Sequence, residues 1–158
     1  MWQQIGSTLA AEFSDIPDIA ELTRLCTRLV LAAILGAMLG FERETKGKAA
    51  GIKTHMLVAL GSAIFMIVPL QIGVGADALT RVIQGMVTGV GFLGAGTILK
   101  GRNEDNVKGL TTAAGIWMTS AIGMTAGLGR AGSAILCAVF ALLVLALIPR
   151  LMRLAGNH

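Results

Sequence analysis

The chain has 158 residues, of which 54% are hydrophobic and 14% charged, and it carries 21 glycines, no tyrosine and a net charge of +4. Soluble domains average about 25% charged residues, so this balance excludes an ordinary water-solvated domain and points to lipid as the solvent of a single-domain, multi-pass membrane protein. The thirteen Lys and Arg fall mostly between apolar runs and not in one stripe with aromatics, which argues against a nucleic-acid partner and for a topological role of the charge.

Residues 1–24 carry Glu12, Asp15, Asp18 and Glu21 where a signal peptide needs a basic start and an apolar core. They are expected to form a short amphipathic or extracytoplasmic segment, with Trp2 and Phe13 at the interface. A bilayer core needs roughly 20 apolar residues per helix, and five stretches meet or approach that length. They run Leu25 to Phe41, His55 to Ile72, Val82 to Leu99, Leu110 to Gly127 and Ala131 to Ile148. Arg43, Lys46, Lys48 and Lys53 lie between the first two; Lys100, Arg102 and Lys108 follow the third, and Arg150 and Arg153 the fifth. The positive-inside rule then puts the amino terminus outside and the carboxyl terminus cytoplasmic. The fold predicted is an all-α polytopic membrane bundle of five transmembrane helices over residues 25–149, ending in a short cytoplasmic tail, residues 150–158.

The stretch Gly85 to Gly101, GMVTGVGFLGAGTILKG, has five glycines before Lys100. Glycine within a helix costs up to about 1 kcal/mol against alanine, and close helix contact in a membrane is the natural compensation. On a helix Gly85, Gly89 and Gly96 share one face, with Gly91 and Gly94 roughly opposite. Smooth on two sides, this helix is expected at the centre of the bundle. Small-residue rows on the first span (Ala32, Gly36, Gly40) and the fourth (Gly115, Thr119, Gly123, Gly127) are expected to press against it. The fifth span, mostly large aliphatics, suits lipid contact, and Pro69 should kink the second. Cys26 and Cys137 lack a CxxC partner and read as small packing residues.

Candidate functional residues are few. In GFERE, Gly40 to Glu44, the charges Glu42, Arg43 and Glu44 stand where the first helix leaves the membrane; the plain reading is a charged collar, the alternative a seat for an anion or another subunit. The spacing Gly47-x-x-x-Gly51-x-Lys53-Thr54 lacks the adjacent Gly-Lys of a phosphate loop. His55 and Ser62 share a helix face but stand about 10.5 Å apart along the axis, too far for nucleophile and base, and no catalytic residue is assigned. Arg24 and Arg28 occupy successive turns, and Arg28 is deep enough to call for an ion pair with Asp18, Glu21 or Asp77. No cofactor is expected beyond a weak Mg²⁺ contact, with Glu42, Glu104 and Asp105 as oxygen ligands beside Asn103 and Asn106. Thr111, Thr112 and Thr119 suit a polar crevice beside the glycine helix or backbone satisfaction, and Trp117 suits space-filling against small residues.

Four blocks, GFERE (Gly40 to Glu44), AAGIKTHMLVALGSAIF (Ala49 to Phe65), GVGFLGAGTIL (Gly89 to Leu99) and VKGLTTAAGIW (Val107 to Trp117), resemble in order the signature segments of the MgtC/SapB family. The resemblance implies a bacterial inner-membrane protein with five transmembrane helices, tied to magnesium limitation and stress adaptation and, in the MgtC branch, to virulence. There the action implied is regulatory, through binding of the F-type ATP synthase, and not magnesium pumping. That branch carries a soluble carboxyl-terminal domain, whereas this sequence ends nine residues after Pro149, which aligns it with the short SapB-like members. The combined expectation is a non-enzymatic regulator acting through helix contacts with itself, as a homo-oligomer, or with another membrane complex. The alternative is an oligomeric transporter or channel for magnesium or a small solute.

Overall fold

A computed structural model describes residues 1–12, 14, 18–100 and 107–155. Six helices account for nearly all of it: α1 (Trp2–Glu12), α2 (Ile19–Thr45), α3 (Ile52–Gln71), α4 (Ala76–Ala95), α5 (Leu110–Gly127) and α6 (Ala131–Ala155). Between α4 and α5 the two-residue strands β1 (Leu99–Lys100) and β2 (Val107–Lys108) pair antiparallel, Leu99 opposite Lys108 and Lys100 opposite Val107. The all-α expectation holds, with this small ribbon as an addition.

Four helices are long and apolar enough to cross a membrane: α2, α3, α4 and the Ala131–Pro149 part of α6. The 18-residue α5 is diluted by Thr111, Thr112, Thr119, Ser120 and its glycines, yet it is the most enclosed helix, with nine buried residues. The amino-terminal segment forms a helix, α1, with Trp2, Ile5 and Leu9 on its surface. Phe13 and Asp15 lie outside the described residues.

Local chemistry sets the helix ends. Asp18 caps α2, its Oδ1 accepting from the Glu21 N–H at 2.7 Å, so the helix starts six residues before the apolar run. The first N–H of α3 is satisfied from outside its own chain segment, since Glu44 Oε2 accepts from the Ile52 N–H at 2.8 Å. Gly109, at φ +96°, turns the chain from β2 into α5, and a side chain there would collide with the Thr97 carbonyl. Both α3 and α6 continue through an internal proline, Pro69 and Pro149.

The core lies where α2, α3, α5 and α6 meet, built from Leu35, Leu39, Ala59, Ala63, Ile67 and Ile122 with small residues of α6. The small-residue rows of α2 and α5 make the expected close contacts, but with α3 and not with the glycine-rich helix. A Cβ on Gly36 would fall 2.7 Å from the His55 carbonyl oxygen, and one on Gly40 2.5 Å from Ile52 Cα. On the other side of α3, Gly123 and Gly127 abut the backbone of Ala59 and Ala63.

The expected central place of the glycine-rich helix is therefore corrected. It is α4, on the rim, with only Val90 and Gly94 buried. Among the described residues nothing lies within 4 Å of a Cβ built on Gly85, Gly89 or Gly91, and on Gly96 it would meet only carbonyls of its own helix. Of the five glycines only Gly94 faces a neighbour, at 3.5 Å from Ala113. The reason is fit: α3 presents alanines on both sides and accepts two glycine rows, while α4 turns the bulk of Met86 and Val90 inward against Ile116 and Val58.

Candidate functional site

Arg43 stands seven residues after Gly36 and three after Gly40, on the same stripe of α2, so the close approach of α3 carries it indoors. Its side chain is 3% exposed, which corrects the reading of GFERE as a collar. Glu42 accepts from Arg43 Nε at 2.6 Å and is also paired with the Lys46 ammonium. Glu44 does the separate work of capping α3. The three charges of the motif thus have three jobs.

Lys46 has a further partner. Its Nζ donates to the Leu145 carbonyl on α6 at 2.9 Å. Leu145 is four residues before Pro149, whose nitrogen carries no hydrogen, so that carbonyl has no helical donor of its own. One ammonium therefore satisfies both a carboxylate and a backbone group freed by proline, tying α2 to α6.

Across from Arg43, His55 is fully buried, with Nδ1 3.0 Å from the Gly51 carbonyl. A carbonyl only accepts, so Nδ1 carries the proton, and in the neutral ring Nε2 is left as an acceptor. Thr112 and Thr119 of α5 are buried on the same side, and midway along α3 the hydroxyls of Ser62 and Ser120 bond at 2.7 Å. Arg43, His55, Thr119 and the serine pair form a polar seam along the α2–α3–α5 junction. Beyond it the junction is apolar, closed by Ala63, Ile67, Ile122 and Ala126. Thr112 and Thr119 are thus buried within the bundle. Thr111 instead lines an apolar cavity of about 310 Å³ with Leu39, Gly115, Met118 and Phe140.

At the other end of the bundle, Arg24 pairs with Glu21 at 2.8 Å. Arg28 makes no ion pair with Asp18, Glu21 or Asp77 among the described residues; its Nη1 donates to the Gly127 carbonyl at 3.1 Å. The correction has a simple cause: the last carbonyls of α5 lack helical donors and carry the negative end of its dipole, which a guanidinium satisfies. Gly129, at φ +76°, leaves room for it. Both arginines border a cavity of about 550 Å³ with Asp18, Glu21 and Gln71. Trp117 is 47% exposed on the outer side of α5, so it does not fill the bundle as expected. Cys26 is exposed and Cys137 packs against the core. Glu104 and Asp105, with Asn103 and Asn106, lie outside the described residues. Among the described residues no three His, Cys, Asp or Glu side chains converge as metal ligands.

The MgtC family profile matches residues 29–154, from within α2 through nearly all of α6. The chain belongs to the MgtC family. It is 43% identical over 142 residues to Protein SrpB of Synechococcus elongatus, covering 83% of this chain and 78% of that protein. It is 50% identical over 126 residues to the Escherichia coli K12 protein named "Putative magnesium transporter YhiD", covering 75% of this chain and 57% of the relative. With Protein MgtC of Brucella abortus it shares 40% over 122 residues, 77% of this chain and 50% of that one. The chain thus spans only about half the length of the MgtC and YhiD relatives. No solved structure matches it. Family membership and the apolar helices together make it a multi-pass membrane protein.

Proposed function

We propose that this chain is a non-enzymatic regulator of the bacterial inner membrane, linked to magnesium limitation, that acts by docking α4 against a second copy of itself. In this reading α2 to α6 are the five spans, with the amino terminus outside. The observation that carries the proposal is the outer face of α4. Gly85, Gly89 and Gly96 form a smooth strip on it, Phe92 projects beside them at 81% exposure, and among the described residues no other helix covers it. A helix keeps glycine at this density where another backbone approaches, and the described residues supply no such backbone.

A chain with Phe92→Cys, in a background with Cys26 and Cys137 replaced by alanine, should crosslink to a second copy in native membranes. Adding Gly89→Leu should abolish that crosslink without disturbing the fold, because nothing lies within 4 Å of Gly89. A crosslink that survives Gly89→Leu refutes the proposal. So does a crosslink only to another inner-membrane complex such as the F-type ATP synthase, the hetero-partner that the resemblance brings.

The polar seam favours a second reading, solute movement, in line with the name of the YhiD relative. It supports entry from one side only, since the seam stops at Ser62 and Ser120 and apolar packing closes the rest. Purified protein in liposomes moves no Mg²⁺ under the regulatory proposal; saturable uptake lost in Arg43→Gln decides for transport.

A further inference from the structure

Among the described residues, and setting aside Glu42 Oε1, which faces the Lys46 ammonium, three buried side-chain atoms have no protein partner: Arg43 Nη1, His55 Nε2 and Thr119 Oγ1. Each belongs to a residue no more than 3% exposed, in a region where an unmade hydrogen bond costs its full desolvation penalty. The side chains of two of these residues reach one glycine. A Cβ built on Gly115 would sit 3.5 Å from His55 Nε2 and 3.9 Å from Arg43 Cδ, in ordinary contact with both. Thr119 stands one turn further along the same face of α5. The missing side chain of Gly115 therefore leaves open a point beside the His55 acceptor and the stem of the Arg43 guanidinium.

We infer that Gly115 is kept side-chain-free to seat a single structural water, which accepts from Arg43 Nη1 and donates to His55 Nε2 and Thr119 Oγ1. The chemistry of the seat selects this ligand. A chloride would suit the guanidinium but would oppose the lone pair on His55 Nε2, because Nδ1 holds the ring proton against the Gly51 carbonyl. A metal cation would suit Nε2 but would meet the positive charge of Arg43. A neutral hydroxylic ligand serves all three partners, as acceptor to one and donor to two. Gly115 thus differs in kind from Gly123 and Gly127 on the same row, which make way for the backbone of α3.

The test inverts an ordinary ranking. In a dry, sterically open position Ala is the better helix residue and Ser the poorer, so Gly115→Ala should be the more stable variant. With the water in place the order reverses. The methyl introduced by Gly115→Ala expels it and strands the polar atoms, lowering Tm by about 5 °C in lipid nanodiscs, whereas Gly115→Ser replaces it with a hydroxyl and stays near the parent. Alanine ranking above serine overturns the inference. The parent chain gives an independent measurement: in a His158→Ala background, which leaves His55 the single histidine, solid-state NMR should show magnetisation passing from water to Nε2. Transfer to Nδ1 alone, or a direct Arg43–His55 coupling, overturns it equally.

Discussion

Adding one methyl group at Gly123 should loosen the whole bundle, while the same change at Gly89 should not. A Cβ on Gly123 would stand 2.8 Å from Ala59 Cα and closer still to the Ala59 carbonyl oxygen, against 3.4 Å for ordinary contact. Both obstacles are backbone, so α3 and α5 must part by roughly 0.6 Å or more, a gap that forfeits a quarter to a half of each dispersion contact along the seam. Gly127 on Ala63 lies one turn on and is prised open with it. Over-packing of this kind costs about 1–3 kcal/mol, which is about a 5- to 150-fold fall in the folded-to-unfolded ratio. Gly89→Ala meets nothing within 4 Å and gains helix propensity, so it should be neutral or up to about 1 kcal/mol stabilising. Reversible unfolding in mixed micelles, at a dilution where copies do not associate, measures both. Equal losses at the two positions would refute the assignment of close packing to α3 and not to α4.

Removing the Lys46 donor while keeping its stem, Lys46→Met, should cost about 1–3 kcal/mol, and most of that loss should vanish in a Pro149→Ala background, where residue 149 supplies the Leu145 carbonyl with its own N–H. A double-mutant cycle on unfolding checks this, and additivity of the two changes would sink the shared-carbonyl explanation. At the opposite end, Arg28→Met should cost about 1–2 kcal/mol by uncapping α5 at Gly127, with Arg28→Lys recovering part of it. Hydrogen exchange in the last turn of α5 locates the effect, and unchanged protection there argues against it.

The four helices long and apolar enough to cross a membrane were legible because such a run of apolar residues has few other uses; the bounds of α5, Leu110 and Gly127, were legible too, as a helix and not by its apolar length. The early start of α2 was also written in the chain, as Asp18 three residues before Glu21, a capping pattern. The neighbours of the helices were less legible. Glycine permits close approach without choosing the partner, and the choice fell to Ala59 and Ala63 on α3, whose sequence gives no outward sign of it. Arg43 read as an interfacial charge because it sits in the last turn of α2, yet its register with Gly36 and Gly40 already placed it on the buried stripe. The Lys46 link to α6 had one clue, a proline four residues after Leu145, and no pattern within the chain joins two residues so far apart.

That α3 is embraced by α2 and α5, with α4 outside them, bears on the order of assembly. As the chain is synthesised, α2 and α3 are free to close into a hairpin at once, since the Glu44 link to Ile52 and the Gly40 contact are local. α4 emerges next, but the residue that Gly94 rests on, Ala113, has not yet been made. Of the residues it packs on, Ala50 and Val58 are already present, but Ile116 and Ala113 arrive only with α5. The helix on the rim of the finished bundle thus completes its contacts only once α5 is in place.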